Sequence, residues 1–356
     1  MSDPHQLSRR YTTLVVAAIS LIVITCVAWL VPVPYVTLKP GPAIDTLGKF
    51  EDKPVFTFGK DVKTYPTSGS LDFTTVSVTR PDGRVSLVGA MTAFFDPDVA
   101  VVPKTQVYPE DETAEQSSAA SAAQLLGSKD SSRVAALRAA GYTVTGRASV
   151  AGLVKGGAAA KLLKVGDIVT AVDGSKVATP DAAVKGVGAH RPGETVSLTI
   201  ERKGETKDVP IVTRADPKDK AIPRIGVTLG VKYRFPFKID NTVGSSIGGP
   251  SAGSMFALAI YDKLTAGQLT GGKRIAGTGE IGPDGTVGPI GGVRQKMAGA
   301  SDDGATIFLV PAANCAEAVD GDDHGLKLVK VTKLSDAISS LEALATNPKA
   351  SVPSCS

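Results

Sequence analysis

Leu14–Val31 (LVVAAISLIVITCVAWLV) is a run of 18 mostly apolar residues without a charge, at the lower end of what spans a bilayer. Arg9 and Arg10 precede it, which predicts a cytoplasmic N-terminus and an exported body. A cleaved signal peptide is the rival reading. It would have a shorter apolar region followed by a small-residue cleavage site, and Pro32-Val33-Pro34-Tyr35 fits that poorly. The expectation is therefore a short cytoplasmic tail (1–13) and a retained transmembrane signal anchor (14–31). Pro40-Gly41-Pro42 would form a rigid exit from the membrane.

The hydrophobic pattern of the body falls into two grammars. In 40–141, Leu71–Val78 and Val85–Val88 flank Pro81-Asp82-Gly83 and read as a β-hairpin, and alanine-rich Glu110–Ala140 reads as one or two helices. No obvious chemistry is visible there. Residues 142–213 alternate short strands with turns. Ala148–Val154 is a strand, Gly156–Lys161 starts a short helix, and Val165–Gly174 is a strand ending in a tight turn. Asp181–Val187 is helical and Thr195–Gly204 is another strand and turn. From 223 to 344, helices after Gly253 and Gly292 interleave with strands such as Ala305–Pro311 and Leu326–Val331, and 345–356 reads as a tail. The predicted class is α+β behind a transmembrane helix.

Composition alters this picture little. The 356 residues allow two or three domains, and 42% hydrophobic with 21% charged residues is ordinary for a folded chain. A formal charge of +4, with no basic run carrying interleaved aromatics, argues against nucleic acid as a partner. Outside the apolar run, Cys315 and Cys355 either pair in an oxidising compartment or remain free, and no ligand spacing suggests a metal. No cofactor is expected.

Candidate chemistry concentrates in two glycine-rich loops. Ser251 in Gly248-Gly249-Pro250-Ser251-Ala252-Gly253 stands where a loop turns into a helix, supported by backbone and near free amide donors. Lys296, in Gly291-Gly292-Val293-Arg294-Gln295-Lys296, lies at the edge of the apolar stripe Val293, Met297, Ala300. Lysine is protonated at neutral pH, and burial is the means of making it a base. Taken singly, Ser251 reads as an N-cap and Lys296 as a solvated helix residue. Together they form a candidate nucleophile and base in a chain whose histidines (His5, His190, His324) are poorly placed for a triad. Gly267–Arg274 mimics a phosphate loop, but Arg274 stands where Ser or Thr would hold magnesium.

The ordered motifs GPSAG, TGEI, GPIGG-xxx-K and FLVP resemble the Lon protease proteolytic domain, and VGDIV…VDG resembles a PDZ domain of the bacterial protease type. Anchor, PDZ and protease together resemble the YlbL-like PDZ-containing Lon-type peptidases. In that group the PDZ is an insertion, so 40–141 is expected to belong to the protease fold. The resemblance implies Ser251 as nucleophile, Lys296 as general base, Thr278 holding the lysine, and Glu280 as a candidate orienting residue. For the oxyanion, the backbone N–H groups of Gly249, Ser251 and Ala252 are candidates. One departure is Gly248, where the family often has an acid.

A PDZ groove along Ala148, Ser149, Val150, Ala151, Gly152 and Leu153, with the loop Tyr142–Arg147 near the peptide end, would take an extended peptide by strand addition. The implied protein is a single-pass, ATP-independent serine endopeptidase in the cell membrane. Its partners would be unfolded or membrane-associated polypeptides and the bilayer, and it would form hexamers by resemblance. The alternatives are a PDZ scaffold with an inactive protease domain, or an enzyme that only processes itself.

Overall fold

The computed structural model describes residues 4–109, 112–244 and 246–355; the expected helix start at Glu110 and the outermost ends of both tails (1–3 and Ser356) lie outside them. The uncharged N-terminal run is helical within α1 (Pro4–Leu30), and Arg10–Leu30 is long and apolar enough to cross a membrane. The chain then passes through β1 (Pro32–Val33), β2 (Tyr35–Asp45), β3 (Ser70–Val78), β4 (Val85–Ser86), α2 (Leu87–Phe94), β5 (Ala100–Pro103) and α3 (Ala114–Ala139). A second unit, Tyr142–Pro236, contains β6 (Thr145–Leu153), β7 (Ile168–Val172), α4 (Pro180–Gly188), β8 (Thr195–Arg202), β9 (Glu205–Val212) and β10 (Val227–Arg234). The chain returns to the first unit with α5 (Gly253–Leu264), β11 (Arg274–Gly277), α6 (Val293–Asp302), β12 (Ile307–Pro311), β13 (Lys327–Val331) and α7 (Leu334–Thr346). Residues 223–236, assigned from sequence to the last segment, thus close the second unit.

In the first unit the strand order is β13-β12-β11-β3-β2-β5. The four strands β13 to β3 are parallel, while β2 and β5 add antiparallel. β12 is buried at every residue, as expected for a parallel strand covered on both faces. α5 is sunk in the core with Met255, Phe256, Leu258 and Ile260 fully buried, and Phe256 meets Phe73 and Phe56 edge-on.

Two sequence expectations fail here. Val85–Val88 is no partner of β3: β4 pairs with β1, and Ser86 caps α2 by accepting from Gly89 N–H. The cap diverts the apolar run Leu87–Ala90 into a helix, and β3 finds its partners in β2 and β11 instead. Pro40-Gly41-Pro42 is not the membrane exit; it lies inside β2, where the pairing with β3 shifts register. The tail 345–356 is tied to the body. Cys355 is disulfide-bonded to Cys315, and Lys330 N–H donates to Pro353 C=O at 3.0 Å. Of Glu110–Ala140, read as one or two helices, Ala114–Ala139 forms the single helix α3, begun by a Thr113/Gln116 capping box.

The disulfide joins positions 40 residues apart. Constraining a loop of that length in the unfolded chain is worth up to about 4 kcal/mol. Cys315→Ala in the full chain is therefore expected to lower its unfolding free energy by a few kcal/mol, read by guanidinium denaturation. The same shift should follow reduction of the parent, and an unchanged midpoint in both would contradict it.

Candidate active site

The nucleophile loop precedes α5, and its shape is set from outside the local sequence. Gly249 adopts φ +86°, which favours glycine. Its N–H donates to Ser121 C=O on α3 at 3.0 Å, and Ser128 Oγ of the same helix donates to Pro250 C=O at 2.8 Å. The next residue is the buried Lys129, whose ammonium donates to Val243 C=O at 2.5 Å, fixing the chain that leads into the loop. α3 was read as chemically silent; its weakly amphipathic, serine-rich sequence offers no periodic signal for this contact.

Gly248 is explained by the same helix. A Cβ at that position would meet Ser121 Cβ at 2.8 Å, so α3 leaves no room for the acid often found there in Lon-type domains. Gly248→Asp is expected to push the loop off α3 and to reduce any peptidase activity by up to about 100-fold, the scale of a small misplacement of reacting groups. Initial rates of casein cleavage read this, and a rate at or above that of the parent would contradict it.

Lys296 arrives from α6, which starts after Gly292 at φ +70°. Its side chain is 3% exposed. Nζ donates to Thr278 Oγ1 at 3.0 Å, and Thr278 Oγ1 donates in turn to Ser251 C=O at 3.1 Å. Gly279 N–H also donates to Ser251 C=O, at 2.8 Å. Among the described residues no hydrogen bond joins Ser251 Oγ directly to Lys296 Nζ; both line one cleft of about 680 Å³ with Glu280, Ile290 and Thr74–Val78. Burial lowers the Lys296 pKa to about 8, against the opposing pull of Glu280 and Glu317. Glu280 is exposed at the cleft rim, acting on the lysine by charge.

Of the oxyanion candidates, Gly249 is withdrawn, because its N–H is taken by Ser121. The N–H groups of Ser251 and Ala252 donate to no other described residue. Besides the α3 contacts, two contributors were missed from sequence. Asn314 clamps Ile290 by accepting from its N–H at 2.9 Å and donating to its C=O at 2.8 Å, which steadies the approach to α6. The other is the edge of β3. β11 pairs with it only as far as Phe73, so Thr74–Val78 enters the cleft with that edge open.

The second unit overturns the expected peptide groove. Its sheet order is β9-β8-β7-β6-β10, and β10 pairs with β6 from Val227↔Leu153 to Arg234↔Thr145. Ala148, Ser149, Val150, Ala151, Gly152 and Leu153 therefore lie on an interior strand with no free edge along that side. The loop Tyr142–Arg147 leads into the same strand, and Thr145–Arg147 are already paired to β10. The open edge belongs to β10, which faces α4 across a hollow of about 500 Å³ lined by Val184, Val187, Ile225, Val227 and Leu229. Local strand propensity identifies β6 but cannot reveal that a strand some 75 residues later covers it.

Comparison with known proteins agrees with both units. The PDZ domain model matches residues 118–213, and the model of the Lon protease (S16) C-terminal proteolytic domain matches 244–343. The Lon protease of Rhizobium meliloti (strain 1021) is 34% identical over 93 residues, 25% of this chain and 11% of that protein. The Lon protease of Mesomycoplasma hyopneumoniae (strain 232) is 44% identical over 72 residues, 20% and 8% respectively. A probable periplasmic serine endoprotease, DegP-like, from Brucella suis biovar 1 (strain 1330) is 38% identical over 65 residues, 18% and 13%. The similarity thus spans 8–13% of the length of these three relatives. By these matches the chain carries a PDZ domain and a Lon-type C-terminal proteolytic domain, the combination of a PDZ-containing Lon-type peptidase.

Proposed function

We propose that the protein is a membrane-anchored serine endopeptidase that cleaves unfolded polypeptides without nucleotide. Ser251 is the nucleophile and Lys296 the general base. The observation that carries this reading is a lysine 3% exposed, with its pKa lowered to about 8, sharing a cleft with Ser251 and linked to that residue's carbonyl through Thr278.

In the neutral form Lys296 accepts the Ser251 hydroxyl proton as Oγ attacks a peptide carbonyl. The N–H groups of Ser251 and Ala252 receive the developing oxyanion. The Lys296 ammonium then returns its proton to the leaving amine, and water hydrolyses the acyl-enzyme by the reverse route. The open edge of Thr74–Val78 suits a substrate held extended, its backbone bonded to β3 and its side chains alternating into the cleft. The free edge of β10 suits an extended peptide added as a sixth strand against α4. With α1 spanning the bilayer and Arg9 and Arg10 on the cytoplasmic side, the body stands outside.

The test incubates the purified full chain with unfolded casein in the absence of nucleotide, then with a fluorophosphonate. Cleavage, with the adduct mapped to Ser251 by mass spectrometry, is expected. Cleavage with an adduct elsewhere would overturn the site. Silence with no adduct would favour a binding protein built on the PDZ domain.

A further inference from the structure

α2 contains no charged residue, yet one of its faces is uncovered. Leu87, Met91, Phe94 and Phe95 are 42%, 54%, 73% and 79% exposed. Their spacing of i, i+4, i+7 and i+8 places all four on one side of the helix. Tyr35 extends the patch, and Tyr35, Ala90, Met91, Phe94, Phe95 and Val101 line a shallow hollow of about 410 Å³. Outside α1, the other large exposed apolar side chains among the described residues of this unit are Val31, which ends the apolar run, and Leu126 and Val319, each alone. Scattered single residues need no explanation, whereas a cluster holding two phenylalanines does.

Its position identifies what covers it. The Leu87 N–H donates to Val31 C=O at 3.2 Å, at the point where the chain leaves α1. β1 and β4 pair through Pro32↔Ser86 and Val33↔Val85, and α2 packs against α1 itself. The first turn of α2 is therefore tied to the end of the apolar span. Eight residues carry the helix only about 12 Å from there, a distance comparable with the depth of one headgroup layer and the acyl boundary beneath it.

We propose that α2 is an interfacial helix whose Leu87–Met91–Phe94–Phe95 face lies in the headgroup and upper acyl region of the leaflet through which α1 exits. This rests on the reading of α1 as a membrane span. α1 supplies attachment, and α2 adds a second apolar contact that stops the body swivelling about a single tether. β2 runs from Tyr35 at this patch to Pro42 at the cleft, so the cleft is held roughly 20 Å from the lipid contact. A site fixed at that height suits polypeptide emerging at, or lying on, the membrane surface.

The full chain reconstituted in vesicles of phosphatidylcholine and phosphatidylglycerol tests this. Cys26 within α1 is a free thiol and takes an environment-sensitive fluorophore; Cys26→Ser combined with Phe94→Cys moves the probe to α2, and with Ser335→Cys to α7 at the opposite edge of the sheet. Lipids spin-labelled near the headgroup are expected to quench the Phe94→Cys probe more than lipids labelled at the chain end, and to leave the Ser335→Cys probe bright. A Phe94→Cys probe that stays unquenched while Cys26 is quenched would overturn the proposal and leave the anchor standing. If that unquenched probe is blue-shifted, protein covers the patch, as in an assembly of several copies. An unquenched Cys26 would remove the anchor reading and this proposal with it.

Discussion

Ser251→Ala and Lys296→Met are each expected to lower casein cleavage by about four orders of magnitude or more, the scale seen when a member of a nucleophile–base unit is removed. The double variant should be little worse than either single one, because the proposed proton transfer needs both side chains. Their stabilities, in contrast, should diverge. The folded protein lowers the Lys296 pKa to about 8 from 10.5. Below about pH 8 the group is charged in both states, and its folded form bears the cost of burying the charge. Between about 8 and 10.5 the unfolded chain binds the extra proton, so stability rises with pH across that window. Above 10.5 the lysine is neutral in both states and the cost is gone. At pH 7 Lys296→Met is thus expected to raise the unfolding free energy by up to about 3 kcal/mol, the gain fading between about pH 8 and 10.5. Ser251→Ala should change it by less than about 0.5 kcal/mol. Denaturant unfolding at pH 7 and pH 10.5 reads both. A destabilised Lys296→Met variant would mean that the lysine serves packing more than chemistry.

The second large effect is on pH dependence. If neutral Lys296 is the base, kcat/KM should rise about tenfold per pH unit below pH 8 and level off above it, so that cleavage at pH 6 falls to about 1% of the plateau. Glu280 opposes the lowering of the lysine pKa. Glu280→Gln should therefore move the rise to lower pH, while the plateau stays within a few-fold of the parent's. A profile flat from pH 6 to 9 would mean that proton removal by Lys296 does not limit the rate. A rise that Glu280→Gln leaves unmoved would separate that carboxylate from the lysine.

Much of the site was legible because its chemistry is carried by short, local signals. Gly248–Gly253 and Gly291–Lys296 are loops entering helices, and the backbone freedom of Gly249 and Gly292 is needed at those turns whatever surrounds them. Thr278 could be singled out on its motif, and the structure places it between Lys296 and the Ser251 carbonyl. The contributions of Ser121, Ser128 and Lys129 were invisible, since each acts by touching backbone more than 100 residues away. A serine-rich helix with scattered buried polar residues carries no periodic pattern from which such contacts can be read. The pairing of Val85–Val88 was misjudged for a related reason: a turn signal identifies two candidate strands, but a capped helix competes for the same residues.

By itself, then, the amino-acid sequence determined the apolar N-terminal span, the α+β class, the two domain types and the residue types at the candidate site. These depend on hydrophobic runs, turn chemistry and loop composition within a few residues of each other. Only the tertiary structure decided that α3 forbids a side chain at Gly248, that β10 closes the edge of β6 and offers its own, and that α2 exposes its apolar face beside the end of α1. It also decided that Cys315 and Cys355 meet. Those outcomes rest on which surfaces come together across long stretches of chain, and burial and backbone pairing set that only once the whole core is formed.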